Sequence, residues 1–247
     1  MLNEPTIEKL YAMRLAAMAA AWQQQQSDAG ASELGFDDRF TLLVEAEHMA
    51  RDNRRLTRLL KQAQLRISDA CVEDIEASAP RGLDKATVRQ LANCRWIHEH
   101  LNVLLSGATG VGKSYVACAL GHMACRQGLK VLYRRVPRLF DELALARAEG
   151  SYARALAKIA KHELLILDDL GIGQLTETQR HDLLELLDDR YRHASTLVTS
   201  QLPTAQWHAW IGDPTLADAI LDRLVHNAHK LTLKGPSRRK ETAQPEN

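Results

Sequence analysis

Eight consecutive residues, Gly107, Ala108, Thr109, Gly110, Val111, Gly112, Lys113 and Ser114, match G-x-x-x-x-G-K-[ST] between the apolar run NVLLS and an apolar helical run. The pattern demands a strand that ends, a glycine turn and a helix that begins, all within a few residues. Glycines let backbone N–H groups turn inward around phosphate oxygens at the helix N-terminus. Lys113 is expected to meet β- and γ-phosphate oxygens, the Ser114 hydroxyl to ligate magnesium, and Tyr115 to complete the nucleotide-binding set. With glycine near 7% of residues, the four fixed positions would arise by coincidence in roughly 1% of such chains, and the strand and helix flanks lower that further.

The surrounding pattern is that of an α/β fold. NVLLSG, KVLYRR, ELLILDD and STLVTS are short apolar or β-branched runs separated by helical stretches, which implies a parallel sheet flanked by helices. The intervening helices are expected near Lys113 to Arg126, Pro137 to Glu149, Ser151 to Lys161, Thr176 to Tyr191 and Pro214 to Asn227, with KLTLK as a possible last strand. Before Pro80 the chain reads as all-helical. A short helix runs from Thr6 to about Ala21, the polar QQQQSDAGASELG reads as a loop, and a longer helix starts near Asp37. The expected organisation is a helical domain over 1–75, an ATPase domain over 76–235 and a polar basic tail over 236–247.

LLIL closes on Asp168 and Asp169, where a P-loop protein needs a carboxylate near its magnesium. Asp168 is the expected metal-associated acid, and Asp169 is placed to polarise the attacking water, as a shorter stand-in for the Glu usual in AAA+ proteins. KVLYRR sets a strand between the P-loop helix and the acidic strand, the additional-strand core shared by AAA+ and RecA-like ATPases. No N-K-x-D guanine signature occurs, which favours ATP over GTP. Thr199, Ser200 and Gln201 close the next strand, where one of them could sense the γ-phosphate or simply end the strand before Pro203. Arg223 has no acidic residue at helical neighbour spacing, so it reads either as a surface arginine or as a finger reaching a neighbouring subunit's nucleotide.

Thirty-two Lys and Arg against 31 Asp and Glu leave a net charge of +1, so any affinity for nucleic acid must come from a local patch. Arg51, Arg54, Arg55, Arg58 and Lys61 provide one, spaced three and four apart on one helix face. Glu47 can pair with Arg51 and Asp52 with Arg55, whereas Arg54 and Arg58 oppose each other as like charges that phosphate contact would offset. The same run is also compatible with a solvated helix face. No aromatic is interleaved, which favours sequence-independent backbone contact over base stacking. Four cysteines without a C-x-x-C pair make no disulfide framework, and no stretch approaches eighteen uncharged apolar residues; a cytoplasmic protein without membrane insertion is expected. Cys118, His122 and Cys125 share a face of the P-loop helix but lack an evident fourth ligand, so they read as packing residues rather than a metal site.

Taken together, LLVEAEHMARDNRRLTRLLKQAQLR, RGLDK, WIHEHLNVLLSGATGVGKSYVACALG, LLILDDLG, TSQLP, ILDRLVHNAH and LKGPSRRK resemble the IstB family, transposition helper ATPases of bacterial insertion sequences close to the DnaC helicase loaders. The resemblance spans nearly the whole chain. It implies a small DNA-contacting N-terminal domain and an AAA+ core that forms homo-oligomers with ATP and magnesium on double-stranded DNA, with a cognate transposase as partner. By position it supports Lys113, Ser114, Asp168 and Asp169 in the roles above, assigns Arg223 as the finger and puts the sensor-2 arginine at Arg239, with Arg238 beside it as the alternative. Gln201 stands where the family usually carries Asn, and the family's G-E-S-x-R ending is here Gly235, Pro236, Ser237, Arg238, Arg239. A replicative helicase loader and, from another class, a small-molecule P-loop kinase are the competing expectations.

Overall fold

The computed structural model of the protein describes residues 4–238. Contacts divide the chain into two compact units, 1–58 and 59–247. The division falls inside a helix. Leu59 and Ala63, in that helix's last turns, are buried, and Leu65 just beyond abuts Gly121 of the P-loop helix, so this stretch belongs to the second unit's core.

In the first unit, α1 (Glu4–Ala12), α2 (Ala16–Ser27) and most of α3 (Phe36–Ala63) carry the structure. The single helix expected from Thr6 to Ala21 is two, because Arg14 adopts a left-handed φ of 62° and Leu15 N–H closes back on Leu10 O at 2.8 Å. α2 then runs through the four glutamines to Ser27, as glutamine is a competent helix former even where no apolar periodicity marks it. The N-terminus of α2 has no side-chain cap from its own residues. Glu47 of α3 supplies it: Oε2 accepts from Ala17 N at 2.9 Å and Met18 N at 3.2 Å.

The second unit begins with α4 (Lys85–Ala92) and α5 (Arg95–His98), neither of which the periodicity announced. There follow β1 (Asn102–Gly107), α6 (Lys113–Arg126), β2 (Val131–Arg135), α7 (Val136–Ala148), α8 (Tyr152–Ala160), β3 (Leu164–Leu170), α9 (Glu177–Arg190), β4 (Ser195–Ser200), α10 (Trp207–Ile211), α11 (Pro214–Val225) and β5 (Ala228–Leu233). The five strands form one wholly parallel sheet in the order β2-β3-β4-β1-β5. Both faces are covered, and the central strands are correspondingly apolar: Val103, Leu104, Leu105, Leu164, Leu165, Ile166, Leu167, Leu197 and Val198 are essentially inaccessible. Parallel strands put all their C-terminal ends on one edge. There the P-loop leaves β1, the two aspartates sit in β3, and Thr199 and Ser200 end β4.

The opposite edge is tied by Arg190, 1% exposed at the end of α9. It donates to the carbonyls of Ala160 and His162 at 3.2 and 2.8 Å, to that of Ser195, and to Thr196 Oγ1 at 3.2 Å. Burial pushes its pKa down to about 9. Asn102 completes the tie, donating to Arg223 O and accepting from Thr196 N. Replacing Arg190 by Met leaves three carbonyls without that donor and is expected to destabilise the fold by about 3 kcal/mol. A urea midpoint unchanged from the wild type would contradict the strut assignment.

Candidate functional site

Two local constraints build the loop between β1 and α6. Gly112, the residue before the helix, has φ 97°, and Gly107 has φ 146° with Leu233 O only 2.3 Å from where a Cβ would stand. A side chain at either position would be strained, so the pattern's glycines are dictated by the backbone path. Lys113 is buried, and its Nζ donates to Gly107 O at 2.8 Å and Ala108 O at 2.9 Å, curling over the loop that it is expected to complete with a phosphate. Val111 is buried as a packing residue, whereas Thr109, Gly110, Gly112, Lys113, Ser114 and Tyr115 line an open cleft of about 840 Å³. That volume suits a nucleotide-sized ligand. The Tyr115 hydroxyl accepts a long contact from Cys71 N at 3.5 Å.

Asp168 lies directly beneath the loop and is fully buried. Ser114 Oγ donates to its carboxylate at 2.9 and 3.0 Å, Tyr133 OH donates at 2.5 Å, and Thr199 Oγ1 donates to Oδ1. Arg66 NH1 is 3.7 Å from Oδ2. Burial, reinforced by the hydrogen bond to Asp168, pushes the Tyr133 phenol well above its ordinary range, so it stays a donor. The serine and the acid named from the sequence are therefore brought together. Their oxygen-only donor set, a hydroxyl beside a carboxylate at the mouth of a phosphate cradle, fits a hard divalent cation such as magnesium.

Asp169 points the other way, into the cleft, and its left-handed φ of 66° accompanies a register shift between Leu167 and Leu170. The consecutive aspartates face different environments. Asp169 Oδ2 accepts from Arg135 Nε at 2.9 Å and its N–H donates to Thr199 Oγ1 at 3.1 Å. Thr199 and Ser200 are fully buried, the first bridging the two aspartates and the second donating to Leu170 O; both are structural. Gln201 alone of the three is exposed and lines the cleft.

Arg223 differs from expectation. Its Nε donates to Asp188 of α9, its NH1 to Ala219 O, and Asp222 stands 4.0 Å away. The acidic partner comes from another helix, which spacing within α11 cannot reveal. Arg223 lines a shallow depression with His100, Arg190 and Arg192 at the sheet edge remote from the P-loop. Arg239 lies outside the described residues. Arg238 borders the cleft, where its N–H donates to Gly110 O at 3.0 Å and its guanidinium pairs with Glu76.

The basic face of α3 is partly committed within the first unit. Glu47, 4% exposed, takes Arg51 Nε at 2.9 Å and Arg54 NH2 at 3.1 Å, and Arg51 together with the two α2 amides holds its carboxyl below the usual range. Asp52, expected to serve Arg55, has His48 Nδ1 at 3.3 Å. Arg55 and Arg58 lie on the same helix in the first unit, and Lys61 falls past the division. Among the described residues no cluster of His, Cys, Asp and Glu could hold a metal, and burial raises the Cys118 and Cys125 thiols to about 11 and 12. Both cysteines pack.

Sequence reasoning missed Arg66, Arg81, Tyr133 and Arg135. Arg81 NH2 donates to Val111 O at 2.9 Å and so braces the P-loop from outside. Tyr133 and Arg135, both in the strand beside the acidic one, carried a positional signal. The others come from segments whose place beside the loop is set by tertiary folding.

Comparison with known proteins agrees with this geometry. Residues 8–245 match the IstB-like ATP binding protein family. An insertion-sequence ATP-binding protein of Sinorhizobium fredii is 50% identical over 97% of this chain and 98% of its own length. The ATP-binding protein of insertion sequence IS1162 from Pseudomonas fluorescens is 46% identical over 83% and 89%. Among solved structures, DnaI aligns with TM-score 0.58 at 21% identity over 72% of this chain and 94% of that one, and the DnaC helicase loader with 0.53 at 20% over 67% and 97%. These structural likenesses bear on the fold alone, a five-stranded parallel sheet flanked by helices. Replacing Lys113 by Ala is expected to weaken ATP binding by about 100-fold or more while leaving the nucleotide-free protein folded. Equal ATP affinity in equilibrium titrations of the two proteins would contradict the site.

Proposed function

The chain belongs to the IstB-like ATP binding protein family, and on that premise we propose that it is an ATPase that assembles as a homo-oligomer on double-stranded DNA and recruits a cognate transposase. The observation that carries the enzymatic half is the contact of Ser114 Oγ with the buried Asp168 carboxylate, with Asp169 facing the same cleft. Ser114 and Asp168 would hold magnesium, which when bound neutralises charge on the terminal phosphates. Lys113 Nζ exchanges Gly107 O and Ala108 O for phosphate oxygens. Asp169 orients a water and draws its proton, and Arg135 on Oδ2 fixes the direction in which that carboxylate faces. Gln201, at the cleft wall, is positioned to hydrogen-bond the water or the terminal phosphate.

Arg223 would act across subunits, which requires it to exchange Asp188 for a neighbour's phosphate. The transposase is inferred from the insertion-sequence relatives. A helicase-loader role has less support, because the likeness to loaders stands at 20–21% identity and the insertion-sequence relatives at 46–50%. We place the protein in the cytoplasm; among the described residues no helix is long and apolar enough to cross a membrane.

For DNA, the basic face of α3 is tested at Arg55 and Arg58. Replacing both Arg55 and Arg58 by Ala is expected to weaken binding to all duplex sequences about equally and to flatten the salt dependence by roughly two counterions. Unchanged affinity and slope at moderate salt would exclude this face. Asp169→Asn is expected to keep ATP binding within about twofold while slowing turnover by about 10²-fold or more. Wild-type phosphate release by that variant would exclude Asp169 as the base.

A further inference from the structure

Among the described residues, four cations besides Lys113 line the cleft: Arg66, Arg81, Arg135 and Arg238. Three are engaged at hydrogen-bond distance or closer: Arg81 with Val111 O, Arg135 with Asp169, and Arg238 with Glu76. Arg66 is arranged differently. Its guanidinium interacts with the Tyr133 hydroxyl, NH1 stands 3.7 Å from Asp168 Oδ2, and the side chain, 42% exposed, lines the cleft. Burial works against its charge, but Tyr133, Asp168 and Asp169 outweigh that and hold the guanidinium firmly protonated.

The backbone that carries Arg66 is anchored. Gln64, at a left-handed φ of 52°, accepts from Arg134 NH1 at 2.6 Å through its side chain, and Leu65 rests on Gly121 of α6. Farther along, Cys71 N reaches the Tyr115 hydroxyl. A guanidinium is thus held on a fixed stem beside the Ser114–Asp168 pair, on the cleft side. On the nucleotide-site reading, a triphosphate would set its terminal phosphate beside this pair, where a diphosphate has no group.

We infer that Arg66 is a ligand of the terminal phosphate supplied by the same subunit, making the cleft discriminate nucleoside triphosphate from diphosphate. The inference rests on the nucleotide-site reading above. A guanidinium presents paired N–H donors to phosphate oxygens, and a charge-assisted contact of that kind exists only when the terminal phosphate is there. Arg66 follows the last residue of α3, Ala63, by three positions. Its movement from Asp168 toward phosphate would therefore report nucleotide state at the end of the helix that carries the basic face.

The test is equilibrium binding of a non-hydrolysable ATP analogue and of ADP, both with magnesium, to the wild type, Arg66→Ala, Arg66→Lys and Lys113→Ala. The inference predicts that Arg66→Ala weakens the triphosphate by about tenfold or more and the diphosphate by less than about twofold, with Arg66→Lys between. Equal weakening of both ligands, no weakening, or tighter binding of both would overturn it, since each marks Arg66 as only a counter-ion to Asp168. The Lys variant keeps the test decisive if the Ala variant does not fold. A wild type that binds neither ligand, or a Lys113→Ala protein that binds like the wild type, would instead refute the nucleotide site itself and the role of Arg66 with it.

Discussion

The second unit is organised around one buried carboxylate. Asp168 is fully inaccessible, and a charged group in that setting is tolerable only if donors surround it. Ser114 from α6, Tyr133 from β2 and Thr199 from β4 provide hydroxyls, with the Arg66 guanidinium nearby. Each donor comes from a different element, so satisfying this one acid fixes the P-loop helix, the outer strand β2 and the central strand β4 against β3. On the proposed function the same arrangement would serve the chemistry, because Ser114 and Asp168 would offer a pair of hard oxygen ligands beside the P-loop.

A second consequence follows from the shift after Leu167. Were β3 regular, Asp168 and Asp169 would alternate across the sheet. The left-handed backbone at Asp169 instead swings its carboxylate into the cleft, where Arg135 meets it. Strain of this kind persists where neighbouring contacts overdetermine it, and here Thr199 ties both aspartates through one hydroxyl. The two adjacent acids thus stand in different settings, Asp168 buried beside the serine and Asp169 lining the cleft. The remote edge of the sheet, tied by Arg190 and Asn102, carries Arg223 and is free of these demands.

Much of this was legible in the sequence because it is local. The loop from Gly107 to Ser114 requires its residues one by one, α6 follows with the boundaries the periodicity gives, and the four apolar or β-branched runs and the possible strand KLTLK are the five strands. Pairing of Ser114 with Asp168 also followed, since the chemistry demands it whatever the intervening chain. What escaped was either short or non-local. α4, α5 and α10 are too brief to show a period, and α2 runs through glutamines whose helix propensity is not written as an apolar pattern. The partner of Arg223 lies 35 residues away on α9, Arg54 reaches back seven residues to a glutamate that caps another helix, and Arg66 gains its place only when the stretch after α3 packs on Gly121. Contacts of that reach are made by tertiary folding and leave no spacing to read.

On the proposed function, nucleotide bound at the C-terminal edge of the sheet governs assembly of the protein on DNA. Sedimentation velocity of the purified protein with duplex DNA, in ATP, in ADP and without nucleotide, tests it most directly. The account predicts large protein–DNA complexes in ATP that dissociate when ADP replaces it. A monomer whose sedimentation is the same in all three conditions, with or without DNA, would contradict it.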